Sequence, residues 1–273
     1  SMKKKTFTIF GHTGFIGSHL KKRLQNHKLI LPKRGEIILN KNLGNIIYCV
    51  GSDLWKKNPY DSFHANLGYV PEILKNNKFS SFNFLSSIKV YENVYSTKES
   101  STLKVNPNDP NAYFKITKIC AESILFSQTK KFKVIRLGNI YGNNFNAPLA
   151  LSTFIRDAIK LKKINLTVNE NSLKDYLSIE DAINLILLII NKGKKNIYNV
   201  ASGKRVSFNK ITSEIKKITN CKVLKSNKKV KINEPKIDIK RIKNEFKFKQ
   251  SSNLLNDLKN LILEFKKKNN INE

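Results

Sequence analysis

One short segment near the middle of the chain has almost the spacing of a proton-transfer pair. A tyrosine four residues before a lysine lies one helical turn away from it, and the lysine charge lowers the pKa of the phenol for acid–base chemistry. Here Phe114 stands four residues before Lys118, and the nearest tyrosine is Tyr113. One helical residue rotates Tyr113 by about 100° from the Lys118 face. The segment therefore keeps the ring and the ammonium group but lacks the hydroxyl that carries the proton.

A glycine-rich segment near the N-terminus is typical of a nucleotide-binding turn. A β-rich run at residues 6–10 leads into it, and helical spacing follows at residues 18–26. Glycines let the backbone approach a pyrophosphate, whose charge faces the helix N-terminus. An ordinary strand-to-helix turn is the alternative. The predicted cofactor contacts of the turn are Gly11, Thr13, Gly14, Phe15, Ile16 and Gly17.

The second predicted strand, residues 28–31, bears on the choice of cofactor. An acidic residue at its end would bind the free ribose 2′-hydroxyl of NAD, whereas basic residues accommodate the 2′-phosphate of NADP. Lys33 and Arg34 follow this strand, and Glu36 is the acid nearest to them. We therefore predict NADP. NAD stays as the alternative, because a chance basic pair is common in so lysine-rich a chain.

Strands alternate with helices through the N-terminal half of the sequence. Strand-like runs at residues 45–50 and 82–85 flank helical character at residues 60–77. This alternation predicts an α/β fold with a doubly wound parallel sheet of Rossmann type, whose ligands bind beyond the carboxyl ends of the strands. Gly51 and Ser87 fall at such ends.

Composition argues against several other classes of protein. Apolar residues make up 40% of the 273, and no apolar run reaches the about 18 residues that a membrane span needs. The formal charge of +31 comes mainly from lysines spread along the chain, which does not indicate a nucleic-acid groove. The three cysteines and four histidines lack metal-ligand spacing, so we expect reduced thiols and no metal. Ser1 is typical of a cloning remnant, and no signal peptide follows it, so we expect a cytoplasmic protein.

Taken in order, the motifs resemble those of the extended short-chain dehydrogenase/reductase family, in the NAD(P)-dependent branch that acts on nucleotide sugars. One segment matches Ser-Ser-x-x-Val-Tyr, another the end of Tyr-x-x-Ser/Thr-Lys, and a third resembles Arg-x-x-Asn-Val-Tyr-Gly. The matching segments are residues 11–17, 85–91, 117–118, 136–142, 174–182, 198–203 and 238–241. The resemblance therefore covers nearly the whole chain.

The resemblance implies a small C-terminal α/β substrate lobe beside the Rossmann domain, with the sugar in the cleft between them. The implied Rossmann domain comprises residues 2–142 and 175–202, and the implied lobe comprises residues 143–174 and 203–273. Family members commonly form homodimers through packed helices. In this chain those helices would be residues 60–77 and 112–129.

The resemblance also implies roles for individual residues. The catalytic positions are Ser87, which hydrogen-bonds the reacting oxygen, Phe114 in place of the tyrosine, and Lys118, which also holds the nicotinamide ribose. Further cofactor contacts are Lys33, Arg34, Val50, Gly51, Leu85, Lys118 and Leu137. Substrate contacts are Asn66, Ser87, Ile88, Asn139 and Arg205.

Three explanations of Phe114 are open. The first is an engineered Tyr→Phe change, made to trap a bound ligand. The second is a natural variant that uses another acid or water. The third is a natural protein that binds its ligands without turnover. Loss of a general acid typically costs about 10²–10⁴ in rate. In each case we expect ligand binding to be nearly intact.

The residues beside Ser87 bear on the reaction. Family dehydratases carry Thr-Asp-Glu there, whereas this chain has Ser87, Ile88 and Lys89, without the acid for elimination. The short second-strand region and its basic pair favour a reductase over an epimerase that retains NAD. We predict an NADPH-dependent reductase of a nucleotide-linked 4-keto-6-deoxy sugar in surface-polysaccharide biosynthesis. A nucleotide-sugar 4-epimerase and a non-catalytic binding protein are the alternatives.

Overall fold

The computed structural model describes residues 3–51, 56–227 and 230–271, so Ser1 lies outside the described residues. The chain divides into two compact units. The first comprises Ser1–Leu137 with Ile183–Val200, and the second comprises Gly138–Ala182 with Ala201–Glu273.

The elements alternate along the chain as an α/β fold requires. The strands are β1 (Thr6–Phe10), β2 (Lys28–Ile30), β3 (Asn45–Tyr48), β4 (Ser81–Ser87), β5 (Phe132–Leu137), β6 (Asn139–Tyr141), β7 (Lys163–Asn165), β8 (Leu173–Ser178), β9 (Ile197–Val200), β10 (Arg205–Ser207) and β11 (Lys222–Leu224). The helices are α1 (Phe15–Arg23), α2 (Pro59–Phe63), α3 (Tyr69–Asn76), α4 (Tyr113–Gln128), α5 (Ala150–Lys160), α6 (Ile179–Lys192), α7 (Phe208–Thr219), α8 (Lys240–Phe246) and α9 (Leu254–Lys268). None of these described helices has the length and apolar composition that crossing a bilayer requires.

Within the described part of the first unit, six strands form one parallel sheet in the order β2-β1-β3-β4-β5-β9. Strand β2 lies on one side of β1, and β3 and the later strands lie on its other side, so the direction in which strands are added reverses between β1 and β3. Such a switch point opens a crevice beyond the carboxyl ends of the strands, where ligands of doubly wound sheets bind. The predicted Rossmann-type sheet is confirmed.

Both faces of this sheet are covered. Ile46 and Ile47 are consecutive residues of β3, so their side chains point to opposite faces, and both are fully buried. Burying one such side chain contributes about 1.5–3 kcal/mol. On α4, Ala121 and Leu125 are fully buried in the same core as Phe84 of β4. This core fixes α4, which carries Phe114 and Lys118, against the sheet.

Several predicted element bounds were wrong. Helix α1 begins at Phe15 because extended Gly14 is its N-cap, and it ends at Arg23, so the predicted helix at residues 18–26 was placed three residues too late. The predicted helix at residues 60–77 is α2 and α3 joined by a π-helical segment, His64–Gly68. Side-chain periodicity alone cannot reveal such a bulge, because it adds one residue to a turn.

The second unit is also α/β. Its described strands form a three-stranded sheet, β10-β8-β6, and a two-stranded pair, β11-β7. Helices α5, α7 and α9 pack around an aromatic core, in which Phe154 meets Phe208 edge to face with ring centroids 5.2 Å apart. Edge-to-face packing at this separation is favourable because the ring edge is positive and the face negative.

Candidate active site

Lys118 is a buried lysine on the sheet-facing side of α4. It is 4% exposed, and its Nζ donates a hydrogen bond to the Leu85 carbonyl oxygen at 3.1 Å. Burial lowers the pKa of Lys118 to about 8, while the charges of Glu122 and Cys49 act in the opposite direction. An ammonium group with a pKa so near neutrality, at the carboxyl ends of parallel strands, where ligands of doubly wound sheets bind, is typical of a functional site.

Phe114 lies one turn before Lys118 on the same side of α4. Its ring centroid is 5.8 Å from the Lys118 Nζ and 4.9 Å from the Lys89 Nζ. The ring is half-buried. The predicted arrangement of ring and ammonium group is therefore present in the fold, and a second ammonium group accompanies it.

Ser87 is the last residue of β4 and begins a short 3₁₀ turn. Its Oγ accepts a hydrogen bond from the Lys89 backbone N–H at 3.2 Å. That bond uses an oxygen lone pair, so the Ser87 hydroxyl can still donate. Leu85, which holds Lys118, lies two residues earlier on the same strand.

Gly51 and Asn66 lie beside the Lys118 ammonium group. A Cβ added at Gly51 would stand 3.1 Å from the Lys118 Nζ and 3.6 Å from the Asn66 Oδ1. Asn66 is fully buried in the π-helical segment, and its Nδ2 donates to the Thr117 Oγ1 at 3.3 Å. Two predicted site residues, one for the cofactor and one for the substrate, thus meet around Lys118.

Tyr113 is not directed into this cluster. Its hydroxyl donates to the Pro59 carbonyl oxygen at 2.6 Å, which ties the start of α4 to the start of α2. This position agrees with the rotation of Tyr113 away from the Lys118 face of α4.

A buried polar network supports the site, and sequence analysis missed it. Arg136 on β5 donates its Nε to Glu122 at 2.8 Å, and its Nη1 donates to the Tyr91 hydroxyl at 2.7 Å. The Tyr91 hydroxyl in turn donates to Asn199 on β9 at 2.7 Å. The sequence signal was an arginine inside an apolar strand, because a buried charge needs a partner. The network fixes the turn after Lys118 against the sheet.

The glycine turn has the shape that a dinucleotide requires. Gly11 has φ +80°, and a Cβ there would lie 2.9 Å from the Cys49 carbonyl carbon, across the switch point. A Cβ on Gly17 would collide with the Gly11 carbonyl oxygen, so α1 packs directly on the turn. Thr13 and Gly14 stay exposed at the N-terminus of α1, where the first backbone N–H groups of the helix have no acceptor within it and attract phosphate. The residues present therefore fit an NAD(P) pyrophosphate.

Lys33 and Arg34 lie exposed in a turn after β2. The Glu36 carboxylate accepts a hydrogen bond from the Lys33 backbone N–H at 2.7 Å, so this acid is already used within the turn. Both basic side chains remain at the surface.

The other predicted residues fall at strand ends or in the second unit. Val50 follows β3, and Leu137 ends β5. Ile88 is 4% exposed, so a contact from it to substrate would use its backbone. In the second unit, Asn139 donates its Nδ2 to the Glu234 carboxylate at 2.8 Å, which leaves its side-chain oxygen for a ligand. Arg205 is exposed and donates to the Glu234 carbonyl oxygen at 2.9 Å.

Replacing Lys118 by Met is expected to stabilise the protein by about 1–3 kcal/mol at pH 7. A pKa lowered from 10.5 to about 8 means that the fold disfavours the charged lysine, at roughly 1.4 kcal/mol per unit, and the lost bond to Leu85 offsets about 1 kcal/mol. Between pH 8 and 10.5 the unfolded chain binds the proton more tightly, so the parent gains stability as pH rises. Urea unfolding should show that the difference in free energy of unfolding between Lys118→Met and the parent is smaller at pH 10 than at pH 7 by roughly 2 kcal/mol. A difference independent of pH would contradict this account of Lys118.

Solved structures with this fold share little sequence with the chain. MoeE5 in complex with UDP-glucose and NAD has a TM-score of 0.81 at 18% identity, over 96% of this chain and 99% of that chain. RMD from Pseudomonas aeruginosa, complexed with NADPH, has a TM-score of 0.81 at 16% identity, over 97% and 100%. A Tyr-to-Phe mutant of UDP-glucuronic acid 4-epimerase from Bacillus cereus, with UDP-4-deoxy-4-fluoro-glucuronic acid and NAD, has a TM-score of 0.79 at 16% identity, over 95% and 99%.

No curated protein matches the chain. A family model, that of the NAD-dependent epimerase/dehydratase family, matches residues 45–201. This stretch contains β3, β4, α4 and β5 and the side chains of Ser87, Phe114 and Lys118. Because the match spans more than half of the sequence, the chain belongs to the NAD-dependent epimerase/dehydratase family, and its predicted membership of the extended short-chain dehydrogenase/reductases is confirmed.

Proposed function

We propose that the protein is an NADPH-dependent reductase of a nucleotide-linked 4-keto-6-deoxy sugar, slowed by Phe114. The observation that carries the proposal is the cluster around Lys118. Its buried ammonium group lies beside the Phe114 ring and donates to the carbonyl oxygen of Leu85, which precedes Ser87 by two residues on β4. The first strand of the same sheet leads into the glycine turn. That combination serves proton and hydride transfer at one carbon–oxygen bond.

The chain's own residues would act as follows. The Ser87 hydroxyl would donate a hydrogen bond to the reacting sugar oxygen, since the Lys89 N–H occupies one oxygen lone pair and leaves the O–H free. The Lys118 ammonium group holds the ribose hydroxyls and keeps the local potential positive where oxygen gains charge. When bound, the nicotinamide supplies the hydride. Phe114 keeps water away from the reacting carbon but gives no proton.

The turn after Ser87 supports reduction over elimination. Lys89 stands where family dehydratases have an acid, and an ammonium group cannot accept the proton that elimination removes. RMD, a structural neighbour, is complexed with NADPH. A 4-epimerase is the second candidate, because several neighbours are UDP-sugar 4-epimerases and one is complexed with UDP-glucuronic acid and NAD.

The third candidate, binding without turnover, is supported by Phe114. The neighbouring epimerase with a Tyr-to-Phe mutation is a complex with both a UDP-sugar and NAD. Ligand binding by this chain therefore does not by itself distinguish the candidates, and a test of function must measure turnover.

The experiment compares this chain with its Phe114→Tyr variant. NADPH oxidation is followed against a panel of nucleotide-linked 4-keto-6-deoxy sugars, and products are identified by mass spectrometry. Reduction by the variant supports the proposal. Interconversion of nucleotide-sugar isomers without NADPH consumption would replace it with the epimerase, and tight binding of both ligands without turnover in either protein would replace it with a binding protein.

Removing both basic side chains after β2 is expected to weaken NADPH binding by about 10–100-fold. A hydrogen bond to a charged group contributes about 1.5–3 kcal/mol, and Lys33→Ala with Arg34→Ala removes the partners proposed for the 2′-phosphate. Affinity for NADH should change little. The charge-matched control is Lys21→Ala with Lys22→Ala, at exposed positions of α1. Equal losses for NADPH and NADH would contradict the proposed NADP preference.

We also propose that the protein forms a homodimer through α2, α3 and α4. Large apolar side chains are exposed on α2 and α4, with Tyr60 82%, Phe63 41% and Phe126 53% exposed. Exposed apolar side chains grouped on packed helices are typical of a protein interface. Light scattering should give about twice the chain mass of 31.4 kDa.

A further inference from the structure

Lys89 places a second ammonium group on the Phe114 ring. Its Nζ lies 4.9 Å from the ring centroid, closer than the 5.8 Å of Lys118. Its backbone N–H donates to the Ser87 Oγ at 3.2 Å, so the start of this side chain is fixed beside the serine proposed to hold the reacting oxygen. Lys89 is half-buried.

The two lysines differ in what their ammonium groups contact. Lys118 is held on the Leu85 carbonyl oxygen at 3.1 Å, and Gly51 packs against it. Within the described part of the chain, no acceptor takes a hydrogen bond from the Lys89 Nζ, which contacts only the ring face. A lysine stem is long and flexible, and its ammonium group carries three donors. Of the two ammonium groups that contact the Phe114 ring, that of Lys89 is therefore the one without a hydrogen-bond acceptor among the described residues.

We propose that Lys89 gives the reacting sugar oxygen the proton that the missing phenol would have given. The proposal rests on the proposed ketone reduction. As the carbonyl carbon accepts hydride from the reduced nicotinamide, the carbonyl π electrons move to oxygen. An Nζ–H bond of Lys89 breaks, and its proton joins that oxygen. The ketone becomes an alcohol, the nicotinamide is oxidised, and the neutral amine of Lys89 takes a proton from water.

The direction of the reaction agrees with this role. An ammonium group can only donate, so it assists the step in which oxygen gains charge and a proton. Lys89→Arg separates proton transfer from electrostatics, because a guanidinium group keeps the charge and donors but does not release a proton.

The test is a cycle of four proteins: the parent, Lys89→Met, Phe114→Tyr and the double variant. Lys89→Met should lower kcat about 10²-fold or more in the parent, the range of a general acid, and under about 5-fold in the Phe114→Tyr background.

Lys89→Arg should lower kcat nearly as much as Lys89→Met does. Lys98→Met, at an exposed position on the following loop, is the control. The affinities of each Lys89 variant for NADPH and the nucleotide sugar, measured by calorimetry, should stay within about 3-fold of the parent values. A variant that merely disturbed the structure of the site would lose affinity as well as rate.

Each other outcome overturns the proposal. If Phe114→Tyr turns over and Lys89→Met leaves the parent rate unchanged, Lys89 is not the acid and the reductase function stands. If neither parent nor Phe114→Tyr oxidises NADPH, the proposed function fails together with the role of Lys89. A Lys89→Met loss confined to KM for sugars with a carboxylate would assign Lys89 to substrate charge instead. Lys89→Gln replaces Lys89→Met if thermal unfolding shows that the latter does not fold.

Discussion

Replacing Phe114 by tyrosine is expected to raise kcat by about 10–10², or roughly 1.4–2.7 kcal/mol in activation free energy, because Lys89 already supplies part of the about 10²–10⁴ that a general acid contributes. The change adds one oxygen to a half-buried ring whose centroid is 5.8 Å from the Lys118 Nζ. The Lys118 ammonium group favours the ionised phenol and so brings its pKa toward the working pH. The reaction then has a proton donor on the helix turn that the family uses.

The measurement is kcat and KM for NADPH oxidation, with calorimetric binding of both ligands. Binding should change little, because the new hydroxyl acts mainly on the transition state. Tyr113→Phe is the matched control: it removes a phenol one residue away, whose hydroxyl bonds to the Pro59 carbonyl oxygen, and it should leave kcat unchanged. An unchanged kcat in Phe114→Tyr, with ligands still bound, would show that the missing hydroxyl does not limit the rate.

Replacing Glu122 by glutamine is expected to cost about 3–5 kcal/mol of stability, the range for breaking a buried ion pair from one side. Arg136 is 4% exposed, and its Nε and Nη2 both donate to the Glu122 carboxylate, at 2.8 and 3.2 Å. The substitution leaves a buried guanidinium charge without its counter-charge. Urea denaturation with a linear extrapolation measures the loss.

Two controls separate the buried charge from other effects. The double variant Glu122→Met with Arg136→Met removes both charges, so it should lose clearly less than Glu122→Gln. Glu214→Gln breaks an exposed pair with Lys217, whose side chains are 36% and 73% exposed, and should change stability by under about 1 kcal/mol. A double variant as unstable as Glu122→Gln would mean that packing, and not the unpaired charge, dominates.

The parallel sheet could be predicted because several of its strands are short apolar runs that end in serine or lead into glycine, as β1, β4 and β5 do. Ile46 and Ile47 are both buried, which is what a strand covered on two faces requires. Element bounds were harder to predict. Gly14 begins α1 through its extended backbone, and the π-helical segment that buries Asn66 has no signature in residue type.

The cluster around Lys118 could be predicted only in part. Ser87 and Lys118 follow from motif order along the chain, and the fold joins them through Leu85. From the sequence, Lys89 showed only that the acid of the family dehydratases is absent. Its approach to the Phe114 ring could not be predicted, because that approach depends on the 3₁₀ turn after β4. Glu234, which holds Asn139, lies 95 residues away in sequence. Sequence spacing reports neighbours within an element, and these contacts join different elements.

The sheet of the first unit is interrupted in sequence, because β9 comes after residues 138–182 of the second unit. On the ribosome, β1 to β5 emerge first, but Asn199, whose Nδ2 donates to the Thr97 carbonyl oxygen and whose side chain accepts from Tyr91, emerges much later. Until then the nascent sheet ends at β5 with an open edge, which other chains can pair with. During this delay, the β5 edge is the part of the nascent first unit that a chaperone would have to shield from other chains.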